Sequence, residues 1–139
     1  MRTKIFTLIV VLSIAALALP ACSSKPAGPT VVHVKLSEYT IAMDVDTIPA
    51  GPVHFIVENV GKEVHEVVLE KAGAMDSPFE LNGKESEVED IAPGATVTLD
   101  WTLDQPGDYE LICGLKPAPD NDIKKDHFKE GMVVTFIVK

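Results

Sequence analysis

Residues 106–113 read Pro-Gly-Asp-Tyr-Glu-Leu-Ile-Cys, a turn followed by a short apolar strand that ends at a cysteine. Pro and Gly set the backbone angles of a tight turn, and branched or aromatic residues favour an extended strand. The same alternation runs along the chain and predicts strands at Val31–Leu36, Tyr39–Val45, Val53–Glu58, His65–Glu70, Ala95–Leu103, Tyr109–Cys113 and Met132–Val138. About seven short strands, without an amphipathic helical pattern, indicate an all-β protein built as a β-sandwich.

Some segments have a less definite pattern. The stretch 75–90 is polar and acidic, and it is compatible with either a short helix or an ordered loop. Its acidic run 85–90 is interpreted as a solvated face or as a docking patch. Trp101, Tyr109 and Phe136 fall within predicted strands, so we expect them to fill the core.

Composition excludes several classes of function. The chain has 139 residues, enough for one domain, with 12 basic and 21 acidic side chains and a formal charge of −9. This acidity argues against nucleic-acid binding, which needs a basic surface to displace counterions from phosphates. Two cysteines are too few for a disulfide-rich scaffold, a four-cysteine zinc site or an iron–sulfur cluster. With no glycine-rich phosphate loop, HExxH motif or nucleophile–base pair, we expect a protein that is not an enzyme.

The N-terminus has the features of an export signal. Two basic residues precede an apolar run over 5–19, which is short for a membrane span and typical of a secretory signal peptide. Leu19-Pro20-Ala21-Cys22 resembles a bacterial lipobox, in which Cys22 receives a lipid and becomes the mature N-terminus. Ordinary cleavage after 16–18, which would leave Cys22 as a free thiol, is the alternative.

These features divide the chain into three parts. Residues 1–21 are expected to be a lipoprotein signal peptide, 22–31 a flexible tether and 32–139 the folded domain. The protein is therefore expected in the periplasm or at the cell surface, anchored to a membrane by its lipid. Removal of the signal peptide leaves ten basic and 21 acidic residues, a formal charge of −11.

Four residues of the folded domain have side chains of the types that proteins use to bind copper. Cys113 ends a strand, His127 and Met132 shortly precede the last strand, and His65 begins another strand. Sulfur ligands suit Cu(I), imidazoles suit both oxidation states, and two His, one Cys and a weak axial Met form the blue-copper arrangement. Each residue alone is more common as core packing or as an ordinary surface side chain. Together they predict a site for one copper ion per chain.

In these features the chain resembles the cupredoxins, the plastocyanin-like and azurin-like blue copper proteins, over about residues 32–139. The resemblance rests on Asn59-Val60-Gly61 before His65-Glu66, on Pro93-Gly94, on Pro106-Gly107-Asp108-Tyr109, and on Cys113, His127 and Gly131-Met132. It implies a Greek-key β-sandwich in which His65, Cys113 and His127 are equatorial copper ligands and Met132 is the axial ligand. It also places Asn59 and Glu66 beside the ligands, with residue 66 joining the two ligand loops through hydrogen bonds.

The resemblance implies one-electron transfer between redox proteins, with electrons passing through the solvent-facing edge of a ligating histidine. The negative charge favours brief encounters with a basic partner, such as a c-type cytochrome or a terminal oxidase. We expect a monomer that binds no nucleic acid and is attached to the membrane through Cys22.

The chain departs from most cupredoxins in two ways. The stretch 114–126 lengthens the connection between Cys113 and His127, and we expect a surface loop that shields the copper, contacts a partner or weakens His127 as a ligand. Glu66 stands where several family members have Asn, and its charge should favour Cu(II) and lower the reduction potential.

Two other functions are compatible with the same residues. One is an extracytoplasmic copper chaperone or store, and the other is a copper-free cupredoxin-like interaction domain. The remaining histidines, His33 and His54, lie within predicted strands, and we expect them to be structural or exposed.

Overall fold

The computed structural model describes residues 28–139, which form two packed β-sheets and a separate short hairpin. The strands of this part of the chain are β1 (Thr30–Ser37), β2 (Thr40–Met43), β3 (Thr47–Ile48), β4 (Gly51–Asn59), β5 (His65–Lys71), β6 (Glu80–Leu81), β7 (Lys84–Glu85), β8 (Glu87–Ile91), β9 (Thr96–Leu103), β10 (Gly107–Ile112) and β11 (Val133–Val138). The predicted signal peptide and Cys22 lie outside the described residues. β1 begins at Thr30, so Thr30 and Val31 belong to the sheet rather than to the tether.

The two sheets form the predicted sandwich. One sheet has the strand order β2-β1-β4-β9 and the other β3-β11-β10-β5-β8. β1 is parallel to β4 and β3 is parallel to β11, whereas the other pairs are antiparallel. The all-β prediction is confirmed, and the seven predicted strands correspond to β1, β2, β4, β5, β9, β10 and β11. The short strands β3, β6, β7 and β8 are not among those predicted.

The alternation of apolar and polar residues places the core between the sheets. The buried side chains of β1 are Val32, Val34 and Leu36, and their neighbours His33 and Lys35 are exposed. Phe136 of β11 is 1% exposed, and its ring lies edge-on to Phe55 with centroids 6.0 Å apart. Tyr109 stacks on the Phe136 ring with centroids 5.9 Å apart, and its hydroxyl donates a hydrogen bond to the Gln105 carbonyl. The core prediction is correct for Tyr109 and Phe136.

Trp101 is half-buried and packs against the core, so the prediction that it fills the core is correct only in part. It shares the inward face of β9 with Leu99 and Leu103, which are buried. However, β9 is an edge strand, and Trp101 lies against Phe79 with ring centroids 6.3 Å apart. Part of the Trp101 ring is exposed although Leu99 and Leu103, on the same face of the same strand, are buried.

The stretch 75–90 contains the hairpin β6–β7 and the strand β8, which is more regular structure than the expected helix or loop. The carboxylate of Glu70 accepts hydrogen bonds from the backbone N–H groups of Asp76 and Ser77. The segment before the hairpin therefore lies over the outer face of β5, and β5 is buried on both faces. Within residues 28–139, no helix is long and apolar enough to cross a membrane.

Candidate metal centre

His65, Cys113 and His127 meet at one end of the sandwich. The Nδ1 atom of His127 is 3.3 Å from His65 Nδ1 and 3.3 Å from Cys113 Sγ. The three ligand atoms all lie within 4.8 Å of one another, and all three side chains are fully buried. The structure thus brings together three of the four residues predicted as ligands around a single point.

The strands and their connections explain this convergence. His65 is the first residue of β5, and Cys113 directly follows the neighbouring antiparallel strand β10. Both therefore lie at the same end of the five-stranded sheet. His127 is far along the chain from β10, but its backbone N–H donates to the Leu115 carbonyl at 2.8 Å, which closes the intervening loop at its base.

Met132, the predicted axial ligand, is fully buried and tied to the other candidates through its backbone. Its N–H donates to the His127 carbonyl at 3.0 Å, and its carbonyl accepts from the Cys113 N–H at 3.1 Å. Cys113, His127 and Met132 therefore hold one another in place by main-chain hydrogen bonds, independently of any metal.

The long connection 114–126 is a surface loop, as its polar composition suggests, and most of its side chains are exposed. The side-chain oxygen of Asn121 accepts from the N–H groups of Ala118 and Ile123, which turns the chain back on itself. The extra length is accommodated outside the site, and it does not move His127 away from Cys113.

Glu66 connects the two ligand segments. Its backbone N–H points at Cys113 Sγ, with the nitrogen and sulfur 3.5 Å apart, and its carboxylate accepts from the Gly114 N–H at 2.7 Å. The pKa of this carboxyl group is raised, mainly by burial. The hydrogen bond from the Gly114 N–H lowers the pKa in part, and the nearby charges of Asp76, Glu89 and Asp90 raise it.

Asn59 supports the other side of the site. It is fully buried, its side-chain amide donates to the carbonyls of Glu63 and Ile91, and its side-chain oxygen accepts from the Gly61 N–H. The bonds to Glu63 and Gly61 fix the chain that leads from the end of β4 to His65, and the bond to Ile91 ties it to the end of β8. Asn59 therefore acts on His65 through the backbone.

The protonation state of His65 favours metal binding. Burial lowers the pKa of His65, and the neighbouring His127 lowers it further, so the neutral ring with a free lone pair is favoured. Burial also raises the pKa of the Cys113 thiol to about 11. Without a cation the sulfur therefore remains protonated at neutral pH, and a bound metal ion would convert it to the thiolate.

The donor set fits a small metal ion. Metal–nitrogen and metal–thiolate bonds of about 2.0 and 2.3 Å in a trigonal plane place the ligand atoms roughly 3.5–3.7 Å apart. The 3.3 Å separations around His127 Nδ1 are close to that spacing. The two imidazoles contact each other and the thiol through Nδ1, and their buried Nε2 atoms have no hydrogen-bond partner. Two imidazoles and one thiol of this kind suit copper.

One expectation about the site is wrong: neither histidine has a solvent-facing edge. His65 and His127 are both 0% exposed. The ring of Tyr39 lies edge-on to His127 with centroids 5.4 Å apart, and Glu63 Oε2 is 3.3 Å from His127 Nε2 without the alignment of a hydrogen bond. Sequence reasoning did not identify Tyr39 or Glu63, because these contacts join residues that are distant in the chain and belong to no local motif.

The other histidines lie away from the site. His33 is exposed on β1, and His54 of β4 is half-buried, with its Nδ1 atom 2.6 Å from Asp100 Oδ1. Both positions agree with the structural or exposed roles expected for them.

Comparison with known proteins identifies the family. The model of the cupredoxin-like domain matches residues 7–123, a match that ends before His127 and Met132. The chain is 34% identical over 107 residues to the iron uptake system component EfeO of Yersinia pseudotuberculosis and of Yersinia pestis. That match covers 76% of this chain and 26% of the relative, so the chain spans about a quarter of the length of these curated relatives.

Solved structures show the same fold. Dithionite-reduced auracyanin of Roseiflexus castenholzii has a TM-score of 0.56 at 21% identity, and covers 81% of this chain and 98% of its own. Auracyanin A, a blue copper protein of Chloroflexus aurantiacus, has a TM-score of 0.55 at 18% identity, and covers 81% and 100%. A multicopper oxidase matches with a TM-score of 0.54 at 16% identity, and covers 84% and 45%. Since the family model matches most of the chain and these structures share its sandwich, the chain belongs to the cupredoxin-like domain family.

Proposed function

We propose that this protein is a blue (type 1) copper protein that transfers single electrons between redox partners outside the cytoplasm. The observation that carries the proposal is the buried cluster of His65, Cys113 and His127, whose ligand atoms lie within 4.8 Å of one another. Copper held by these residues would supply one-electron chemistry, alternating between Cu(II) and Cu(I). Met132, which is fully buried, would supply its thioether as the weak axial ligand.

The rigidity of the site supports electron transfer. The Cys113 N–H, the Met132 N–H and the Gly114 N–H each donate a hydrogen bond within the ligand region. A ligand set held in this way can change little in shape between oxidation states, and a small structural change favours fast exchange. The Glu66 N–H, directed at Cys113 Sγ, would stabilise negative charge on the sulfur.

The charge of the chain supports a basic partner. The formal charge of −9 would steer positively charged redox proteins, such as a c-type cytochrome or a terminal oxidase, into brief encounters. We further propose that the domain works in the periplasm or at the cell surface, attached to a membrane through a lipid on Cys22.

The two rival functions make different demands on the site. A chaperone or store must release its metal, whereas these three side chains are fully buried and Cys113 is tied to its neighbours by backbone hydrogen bonds. Buried polar groups without partners are destabilising, and the Nε2 atoms of both imidazoles are of this kind. A copper-free domain would bear this cost of stability without any gain in function.

A role in iron uptake is a second candidate, and the similarity to EfeO favours it. The identity of 34% extends over 76% of this chain, so the likeness involves the folded domain as a whole. In that case iron would be the species with which the protein exchanges electrons. Addition of Fe(II) to the oxidised copper protein would then bleach its visible band, and Fe(III) would form in equal amount.

The decisive experiment is a visible absorption spectrum of the purified protein titrated with Cu(II), with Cys113→Ser as the matched control. We expect an intense thiolate-to-copper band that saturates at one copper per chain, disappears in the control and bleaches with ascorbate. A weak or absent band would exclude Cys113 as an equatorial ligand and overturn the proposal. Transfer of Cu(I) to an acceptor protein without redox cycling would favour the chaperone instead.

A further inference from the structure

The burial of His127 is unusual for its surroundings. The side chains near it in sequence, Lys124, Lys125 and Lys129, are exposed, but the imidazole itself is 0% exposed. The cover comes from the opposite sheet, where Tyr39 lies in the turn between β1 and β2 with its ring centroid 5.4 Å from that of His127. Tyr39 is half-buried, and Glu63, whose Oε2 atom is 3.3 Å from His127 Nε2, completes the cover on this side.

The backbone of Tyr39 is strained. Its φ angle of 62° lies in the left-handed region, which costs about 1–2 kcal/mol for a residue with a Cβ and is normally left to Gly, Asn or Asp. A bulky aromatic residue at such a position is uncommon. The strain persists because the turn is held from both sides.

Two contacts hold the turn. The Glu38 carboxylate accepts hydrogen bonds from the backbone N–H groups of Lys62 and Glu63, and so joins the β1–β2 turn to the loop before His65. On the other side, Lys125 Nζ lies 4.9 Å from the centroid of the Tyr39 ring, a cation–π contact with the loop that carries His127. The ring is thus fixed between the two loops that supply the imidazoles.

We propose that Tyr39 determines access to the metal centre: its ring closes the route from solvent to His127. Small molecules and redox partners then meet the tyrosine ring rather than the imidazole. Where electron transfer is concerned, this inference rests on the proposed function, because the ring adds a layer of atoms between a docked partner and the ligands. The closure itself is a property of the metal-free chain.

The test measures how fast diethyl pyrocarbonate modifies each histidine of the metal-free, full-length protein, mapped by mass spectrometry. Tyr39→Gly removes the ring at a position whose backbone suits glycine, and Tyr39→Phe is the matched control because it keeps the ring. We expect His127 to react about tenfold faster in Tyr39→Gly than in the natural chain, since local access governs such rates. In Tyr39→Phe it should stay protected. Exposed His33 serves as the reactive reference, and buried His65 reports general unfolding.

Several outcomes would overturn the inference. His127 that remains protected in Tyr39→Gly would show that other groups cover it, and equal reactivity in Tyr39→Phe would assign the effect to the hydroxyl. If His65 and His127 become reactive together in Tyr39→Gly, Glu38→Ala decides the question, since it keeps the ring and removes its clamp. His127 must then react faster with His65 still protected, and otherwise the inference fails.

A second measurement addresses the copper-loaded protein. A cationic cobalt(III) complex should oxidise the Cu(I) form of Tyr39→Gly faster than that of Tyr39→Phe. The visible band of the Cu(II) form should be present in both variants. Equal rates would overturn the role of the ring in electron exchange. Loss of the visible band in the natural chain would instead refute the proposed function, and the protection of His127 in the metal-free protein would still be open to measurement.

Discussion

The middle of the sandwich and its metal-binding end are equally buried, but they are stabilised differently. In the middle, apolar rings such as Phe55 and Phe136 pack between the sheets. At the metal-binding end, Asn59, His65 and Glu66 are buried polar groups, and Asn59 and Glu66 are satisfied by hydrogen bonds to loop backbone. Apolar packing contributes in proportion to buried area, whereas buried polar groups contribute only where each has a partner.

This difference separates stability from function within one small domain. The apolar middle holds the two sheets together through side chains such as Phe55 and Phe136, which carry no polar atom. The metal-binding end contains two imidazole Nε2 atoms without hydrogen-bond partners and the Glu66 carboxyl group, whose pKa is raised by burial, and so it should respond to pH and to metal. The predictions below test whether the two regions can be changed independently.

The largest expected effect comes from the middle. Phe136→Ala removes a ring that is 1% exposed and should lower the free energy of unfolding by about 3–5 kcal/mol, because it leaves a cavity between the sheets. Phe136→Leu, which fills most of that volume, should cost about 1.5 kcal/mol or less. Urea unfolding measures both. If the absorption maximum of the copper-loaded folded protein moved as well, the two regions would not be independent.

A smaller effect is expected from the carboxylates beside Glu66. The pKa of Glu87 is raised from 4.5 to about 7, mainly by partial burial and next by the neighbouring Glu85. Between these values the folded state binds more protons than the unfolded state, so the metal-free protein should lose stability as the pH rises from about 4.5 to about 7. Glu87→Gln should flatten this part of the profile.

Urea unfolding at several pH values checks this, with Glu80→Gln as the control because Glu80 is an exposed glutamate on β6. An identical pH profile in the natural chain and in Glu87→Gln would contradict the assignment. The core variant Phe136→Leu should lower the whole profile without changing its slope.

The smallest effect is expected for the reduction potential. Glu66→Gln keeps an oxygen that can accept from the Gly114 N–H but removes a negative charge near the ligands. Since that charge favours Cu(II), its loss should raise the reduction potential by roughly 40 mV, which for one electron corresponds to about 1 kcal/mol. Redox titration of the visible band measures this. An unchanged potential would show that Glu66 is neutral or screened in the copper protein.

Local pattern predicted much of the fold and the composition of the site. Period-two alternation located the long strands such as β1 and β4, because a strand between core and solvent must alternate. The two-residue strands β3, β6 and β7 have too little sequence to show a period, and they form only where a partner strand is present. Residue type and order indicated His65, Cys113 and His127, which the structure places within 4.8 Å.

What the chain encodes locally is therefore the sandwich, its turns and a set of side chains of the types that can bind copper, since these depend on neighbouring residues and on ligand chemistry. Exposure depends instead on contacts between distant segments. Trp101 is half-buried where it packs against Phe79 from another segment. Tyr39 of the opposite sheet and Glu63 of the loop before β5 cover His127. Packing of the two sheets brings these segments together, and for that reason the access route to the metal centre is visible only in three dimensions.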